Sequence, residues 1–439
     1  MFFGGMNRDA FVPAFQTRPE EGEVRSGSVG LALAVFMVAC CLGQVGVAKG
    51  AVSDEVAIAQ HRMGTLVVEA PALAEVTVEQ LEHEFWFGAA LANQAFDGRM
   101  SVEDTKRYKA AFLENFNSAV TENALKWLAM EREKGEVDYA TVDAILDWSE
   151  ANEIPIRGHN IYWGIGNRVM NWQKEMGDEE LLAYLEARAF DVGKRYAGRF
   201  VEYDLNNEMI HENYYEKRFG KGITKQMAAW VKEADPTAVL YFNDYDILTG
   251  AKLKQYTKDI KRQLKLGASI DGIGVQGHLH GESFDPKVLH SSLDELAKFG
   301  MPIRVTEFNF PGQRSRFLSD NPPVLTAKEE KAKAQAIVDY YTICFAHPEV
   351  EGILMWGFWE GANWIPASSL YKLDWTPTPA AKAYHDLVYK KWWTTWEGQV
   401  DRMGSRQVPA FYGKYRVSCN GVDRIVDLNK ADGVARVQF

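Results

Sequence analysis

From about residue 84 to 391 the chain alternates between short apolar runs and longer stretches of helical period. Residues 85–91 (FWFGAAL) read as a first strand. Ser101 with Asp104 marks a helix start, and that helix runs to about Asn115. Residues 116–121 form a second strand that ends at Glu122 and Asn123. The helix predicted at 139–151 carries Val142, Ile145 and Leu146 on one face. A third strand at 155–161 leads into Tyr162 and Trp163, and a long helix follows from 178 to about 197. The fourth strand climbs through Val201, Tyr203 and Leu205 and stops at Asn206-Asn207-Glu208. Strands at 239–242, 270–275, 303–305 and 352–356 complete the series, with helical patterns near 224–234, 251–266, 288–299, 326–346 and 379–389.

Eight strand–helix units over this length predict an α/β fold, a (β/α)8 TIM barrel. A doubly wound open sheet is the rival, but it would place a glycine-rich phosphate turn after the first strand, and Gly88-Ala89-Ala90 is not one. The unusual polar residues fall at predicted strand C-termini, the rim where such barrels hold their active sites. Outside the barrel, residues 65–69 and 75–79 alternate like exposed strands, and 410–417, 422–428 and 434–439 read as short strands. The expected organisation is therefore a leader at 1–50, an N-terminal β segment at 51–83 packing on the barrel, the barrel itself at 84–395 and a small β-rich extension at 396–439. The extension, paired with the N-terminal strands, is either a structural cap or a carbohydrate-binding addition.

Charge and composition narrow the function. The 439 residues are 46% hydrophobic and 25% charged, a globular profile. The net charge of −11 lies wholly beyond residue 50, because the first fifty residues hold four basic and four acidic groups. An acidic body argues against nucleic acid or an anionic membrane as partner and leaves a neutral sugar polymer open. The apolar run at 29–42, preceded by Arg18 and Arg25, has signal-peptide length, so a secreted or periplasmic location is expected. Residues 37–40 loosely resemble a lipoprotein cleavage box, which leaves a lipid anchor as the alternative. Cys344 and Cys419 are the cysteines beyond the leader, and the nine histidines show no HExxH-like spacing. No disulfide framework, metal or cofactor is expected, and the chain is read as a monomer without an obligate protein partner.

Two strand ends carry the candidate chemistry. Tyr203-Asp204-Leu205-Asn206-Asn207-Glu208 and Ile303-Arg304-Val305-Thr306-Glu307 each run from apolar positions into a glutamate. Carboxylates are seldom buried unless something pairs with them or uses them. Two of them facing one substrate bond fit a general acid and a nucleophile; each could also be a surface or capping residue. On this reading the two side chains must share one pocket mouth.

Around these strand ends the sequence resembles glycoside hydrolase family 10, mostly retaining endo-β-1,4-xylanases. The likeness covers about residues 60–390. It rests on Thr121-Glu122-Asn123-Ala124-Leu125-Lys126-Trp127, Arg157-Gly158-His159, Asn207-Glu208, Asn243-Asp244-Tyr245, residues 270–276 (IDGIGVQ), His278, Val305-Thr306-Glu307 and Trp356-Gly357. The resemblance implies Glu208 as acid/base and Glu307 as nucleophile, with Asn207 on the sugar 2-hydroxyl. It implies that Glu122, Asn123 and Lys126 bind hydroxyls on the glycone side, that His159 and Trp163 contact sugar, and that Gln276, Trp356 and Trp364 line the subsite of the cleaved sugar. Trp127 and Trp148 read as core, and Asn243 and Asp244 as braces for neighbouring loops. His278 would hydrogen-bond the nucleophile. The family supports that histidine with an aspartate, where this chain has Asn309, an amide that can orient an imidazole but cannot balance its charge. Gly164, Gly277 and the aromatic loop 358–364 also depart from the usual pattern. The implied substrate is xylan. The alternatives are another β-glycan, short xylo-oligosaccharides, or a barrel that binds glycan without cutting it.

Overall fold

The structure, a computed structural model, describes residues 53–439. The apolar run at 29–42 and the box at 37–40 lie outside the described residues. The first element is a helix, Asp54–Arg62, where strands alone were expected. Ser53 caps it, its hydroxyl accepting from Val56 N at 3.4 Å, and Asp54 and Glu55 occupy the positive first turn. Nine residues are too few to display a helical period. At its other end the buried Arg62 guanidinium donates to the carbonyls of Phe345 (2.6 Å), His347 (2.5 Å) and Val350 (2.6 Å). Two strands follow, β1 (Met63–Glu69) and β2 (Glu75–His83).

The barrel comes next. Its region holds β3 (Trp86–Leu91), β4 (Ser118–Thr121), β5 (Ile156–Gly158), β6 (Tyr162–Trp163), β7 (Glu202–Asn207), β8 (Leu240–Asp244), β9 (Gly272–Val275), β10 (His278–His280), β11 (Ile303–Gln313) and β12 (Val350–Met355). The parallel pairings β3–β4–β5–β7–β8–β9–β11–β12–β3 close into an eight-stranded barrel; β6 and β10 are short rim strands on β7 and β11. Helices fill the connections, among them Val102–Asn115, Asp178–Arg195 and Ala327–Ala346. The expected cap at Ser101 is present, its hydroxyl accepting from Asp104 N at 3.0 Å. Thr326 and Glu329 form a full capping box on Ala327–Ala346. β11 runs well past the expected 303–305, because its C-terminal half pairs with β10.

The barrel interior is not wholly apolar. Arg304 holds Glu202 through two nitrogens (3.1 and 2.9 Å), and Glu202 also accepts from Arg157 Nε at 2.8 Å. Arg157 then grips Asp204 at 2.7 Å, and Asp204 holds His159 Nδ1 at 2.7 Å. Two arginines balance two carboxylates, so the buried charges are paired and hydrogen-bonded as burial requires. This ladder climbs toward the rim.

After the last barrel helix the chain forms β13 (Thr395–Gln399), β14 (Ser405–Phe411), β15 (Gly413–Cys419), β16 (Val422–Leu428) and β17 (Val434–Gln438). They pair with the N-terminal strands in two small sheets, β14–β1–β17 and β13–β2–β15–β16. Leu66, Val68, Val76, Val78, Val408, Tyr415, Val417 and Leu428 form their shared core. The strand expected at 410–417 is broken at Tyr412, where the chain passes from one sheet to the other.

Candidate active site

Each glutamate is set by a local irregularity in its strand. In β7, Asp204 belongs to the interior ladder and Asn207 also faces inward, its Oδ1 accepting from Asn243 Nδ2 at 3.2 Å. Strict alternation would put residues three apart on opposite faces. The register of β7 on β8 shifts between Asp204 and Asn207, and that bulge supplies the extra residue. Asn206 meanwhile turns out to Thr224 in the helix layer. β11 repeats the device: its register on β12 shifts between Val305 and Phe308, so Thr306 and Glu307 both meet Asn243. Glu208 has left-handed backbone (φ 62°), a conformation uncommon outside glycine and frequent at functional sites.

The two carboxylates are held by the same residues. Gln276 Nε2 donates to Glu208 Oε1 at 2.9 Å, while its carbonyl accepts from Glu307 N at 2.6 Å. Asn243 Nδ2 donates to Glu307 Oε1 at 3.0 Å, while its carbonyl accepts from Glu208 N at 2.9 Å. Trp163 Nε1 donates to Glu208 Oε2 at 2.8 Å, and His278 Nε2 lies 3.0 Å from Glu307 Oε2. Asn243 was expected to brace loops; it touches the candidate nucleophile instead. Asp244 does brace, accepting from the backbone of Ile210 and Tyr245.

The environments of the pair differ. Glu208 is half-buried, whereas Glu307 is 4% exposed. Burial alone would push Glu307 up. The His159 imidazole (Nδ1 at 3.8 Å), the bond and charge of His278, and Lys126 outweigh it and pull Glu307 down to about 2. Lys126 Nζ donates to Asn123 Oδ1 at 2.8 Å and lies over the rings of Trp163 (4.9 Å) and Trp356 (5.5 Å). Burial lowers the Lys126 pKa and raises that of Glu122 beside it.

An open cleft of about 450 Å³ at the rim is lined by Glu122, Asn123, Lys126, His159, Trp163, Glu208, Gln276, His278, Glu307, Trp356 and Trp364. Asn207 stands behind that lining, and its buried Nδ2 has no partner among the described residues. Ile165, Asn167, Arg168, Tyr245 and Gln313 also line the cleft. Tyr245 belongs to the Asn243-Asp244-Tyr245 stretch quoted above but was given no role; the others went unsingled in the sequence because most sit on loops without period. Among the described residues no cluster of three or more His, Cys, Asp or Glu is placed to hold a metal ion.

The support expected for His278 from Asn309 is absent. Asn309 Nδ2 donates to Ser368 Oγ (2.9 Å) and the Trp356 carbonyl (3.3 Å), and its Oδ1 accepts from Trp364 Nε1 (2.9 Å). His278 Nδ1 is left buried without a partner among the described residues. Asn309 is spent on the eighth loop because both halves of its amide have better partners there.

An ionised carboxylate and a second carboxyl in one cleft can attack a carbon and protonate its leaving group. Glycosyl hydrolase family 10 matches residues 77–387. Endo-1,4-beta-xylanase 1 of Arabidopsis thaliana is 32% identical over 348 residues, 78% of this chain and 34% of its own length. Anti-sigma-I factor RsgI6 of Acetivibrio thermocellus is 31% identical over 363 residues, 81% of this chain and 44% of its own. The structure of xylanase 10B from Thermotoga petrophila RKU-1 in complex with xylobiose superposes with a TM-score of 0.62 at 27% identity, covering 70% of this chain and 95% of that one. The chain spans between 30% and 43% of the length of three Arabidopsis relatives.

Proposed function

The chain belongs to glycosyl hydrolase family 10, and we propose that it is a retaining endo-β-1,4-xylanase with Glu307 as nucleophile and Glu208 as acid/base. The observation that carries this reading is the double grip of Gln276 and Asn243. Each of these residues bonds the carboxyl of one glutamate and the backbone N–H of the other, and both glutamates line one cleft. A retaining mechanism calls for a separation of roughly 5–5.5 Å.

In the first step Glu307, charged and buried, attacks the anomeric carbon while Glu208 gives its proton to the departing oxygen. Esterification removes the Glu307 charge. Glu208, now ionised, takes a proton from the incoming water, which releases the sugar with its configuration retained. The unpartnered Asn207 amide is a donor waiting for an acceptor, and a sugar 2-hydroxyl meets that need; such a bond strengthens as the ring gains positive charge. Trp356 and Trp364 offer aromatic faces to pyranose C–H groups, and Glu122, Asn123 and Lys126 offer polar atoms to hydroxyls.

Reducing-sugar release from xylan by wild type beside Glu307→Gln tests the activity. Wild-type release with a silent variant supports the reading; equal background rates favour a glycan-binding barrel. NMR of the first product tests retention, and a parallel assay on mixed-linkage glucan and aryl xylobioside separates xylan from the other β-glycans. The apolar run at 29–42 supports export to where the polymer is met, which fractionation of expressing cells would check.

A further inference from the structure

The eighth loop carries Trp364 to the cleft, and one interior side chain fixes where that indole stands. Trp364 Nε1 is a donor only, so the Asn309 atom that meets it at 2.9 Å is the carbonyl oxygen. The amide nitrogen then points to Ser368 Oγ and the Trp356 carbonyl. Ser368 has one hydroxyl proton, and it goes to the Ile365 carbonyl at 2.8 Å. The same hydroxyl oxygen also accepts from Asn363 Nδ2 at 3.2 Å. Ser368 therefore has nothing left to donate, and residue 309 must supply the proton. An ionised aspartate, with acceptors alone, would face two further acceptors there.

We propose that Asn309 is a positioning residue for Trp364, and that it acts on a bound sugar through the loop rather than through the charge of His278. Trp364 stands edge-on to His278 (centroids 5.1 Å apart, 62° between planes) and is 41% exposed to the cleft. Asn309 has no bond to His278, although the two sit opposite one another in the β10–β11 pairing. The amide thus pins an otherwise open aromatic wall from below. The proposal rests on the glycan-binding reading of the cleft for what Trp364 touches, and not for the pinning itself.

Two variants and two readouts test it. Asn309→Asp removes the donor, and Ser368→Ala removes its acceptor with little change of volume. On xylo-oligosaccharides each is expected to raise KM about tenfold, with kcat changed less than about threefold, and the double variant no worse than the worse single one. The acid limb of kcat/KM stays in place. In ¹⁵N-indole NMR, with the Trp364 signal assigned through Trp364→Phe, both variants shift that signal. A wild-type KM in Ser368→Ala or an unmoved Trp364 signal overturns the proposal. A wild type that ignores xylan would overturn the preceding reading instead, and the NMR arm would still decide this one.

Discussion

The two ends of this barrel bury charge in opposite ways. At the end closed by the terminal strands, Arg62 is matched by three carbonyls and Arg304 by both oxygens of Glu202. His83 is clamped there too. Gln80 Oε1 accepts from Thr394 N (2.9 Å), which turns its nitrogen toward His83 Nδ1 at 3.2 Å, and His83 Nε2 faces the Val388 carbonyl at 3.3 Å. At the cleft end the matching is incomplete. Asn207 Nδ2 and His278 Nδ1 are buried without partners among the described residues, and Glu208 has φ 62°. The charged groups named at the closed end are matched within the protein, while the cleft end keeps Asn207 Nδ2 and His278 Nδ1 unmatched beside its two glutamates among the described residues. That is the difference between a seam built for stability and a site built to meet a ligand.

The widest separation between the ends comes from one substitution at each. Glu307→Gln should lower kcat on xylan by at least on the order of 10⁴ while the protein stays folded at pH 7. Arg62→Ala should do the reverse. It strands three carbonyls and removes the cation packed over Phe85 and Phe345 (4.8 and 5.3 Å), costing about 4 kcal/mol in denaturant titration, with kcat of the folded enzyme within about twofold. Loss of kcat in the second variant would mean that the ends are not separable.

The cleft end was much the more legible in sequence, for a physical reason. Strand ends announce themselves as apolar alternation that stops at polar residues, and most candidate site residues, both glutamates among them, lay at or just past such stops. What escaped notice depended on contacts far apart in the chain. The bulges at 204–207 and 305–308 leave no mark in a period-two pattern, so nothing showed Asn243 turning to Glu307. Asn309 was read by analogy, and only the loop folded above it reveals where its amide goes. At the closed end, β1 and β2 were visible as strands, and their pairing with the tail was expected. Which tail strand meets which depends on residues some three hundred positions away, and the opening helix was too short to show its period.

Acid should take the ends apart in order. Burial holds His83 down to about 4, so its neutral form is favoured by the fold. The unfolded chain binds that proton near 6.5, so the contribution is whole above about pH 6.5 and is lost as pH falls toward 4, about 3 kcal/mol in all. His347, also held to about 4 by burial, acts in the same direction. Glu307, held at about 2, is a depressed carboxylate. Its contribution is whole above about pH 4.5 and is lost only as pH falls toward 2. Melting temperature measured from pH 7 to 4.5 should therefore fall less steeply in His83→Gln than in wild type, and equally steeply in Glu307→Gln. Below 4.5 the variant at 307 should flatten the curve. A Glu307→Gln curve already flatter above pH 5 would place the acid-labile charge in the cleft and reverse the comparison.

The smallest expected effects come from two glycines with the same backbone and different surroundings. Gly277 at the cleft end has φ 76° and Gly421 in the terminal sheets has φ 77°. An added Cβ at 421 meets nothing within 4 Å, so Gly421→Ala carries the left-handed backbone cost alone, about 1 kcal/mol. An added Cβ at 277 would lie 2.5 Å from Val305 Cγ1 and 3.1 Å from Tyr340 Oη. Val305 leads into the bulge that sets Glu307, and Gly277 stands between Gln276 and His278, which hold the two glutamates. Gly277→Ala should therefore cost about 2 kcal/mol and also lower kcat, since Val305 cannot yield without moving the strand. Equal stability losses in the two variants, with wild-type kcat in both, would show that the cleft end tolerates displacement as readily as the seam, and the contrast between a committed scaffold and a poised site would fail at that point.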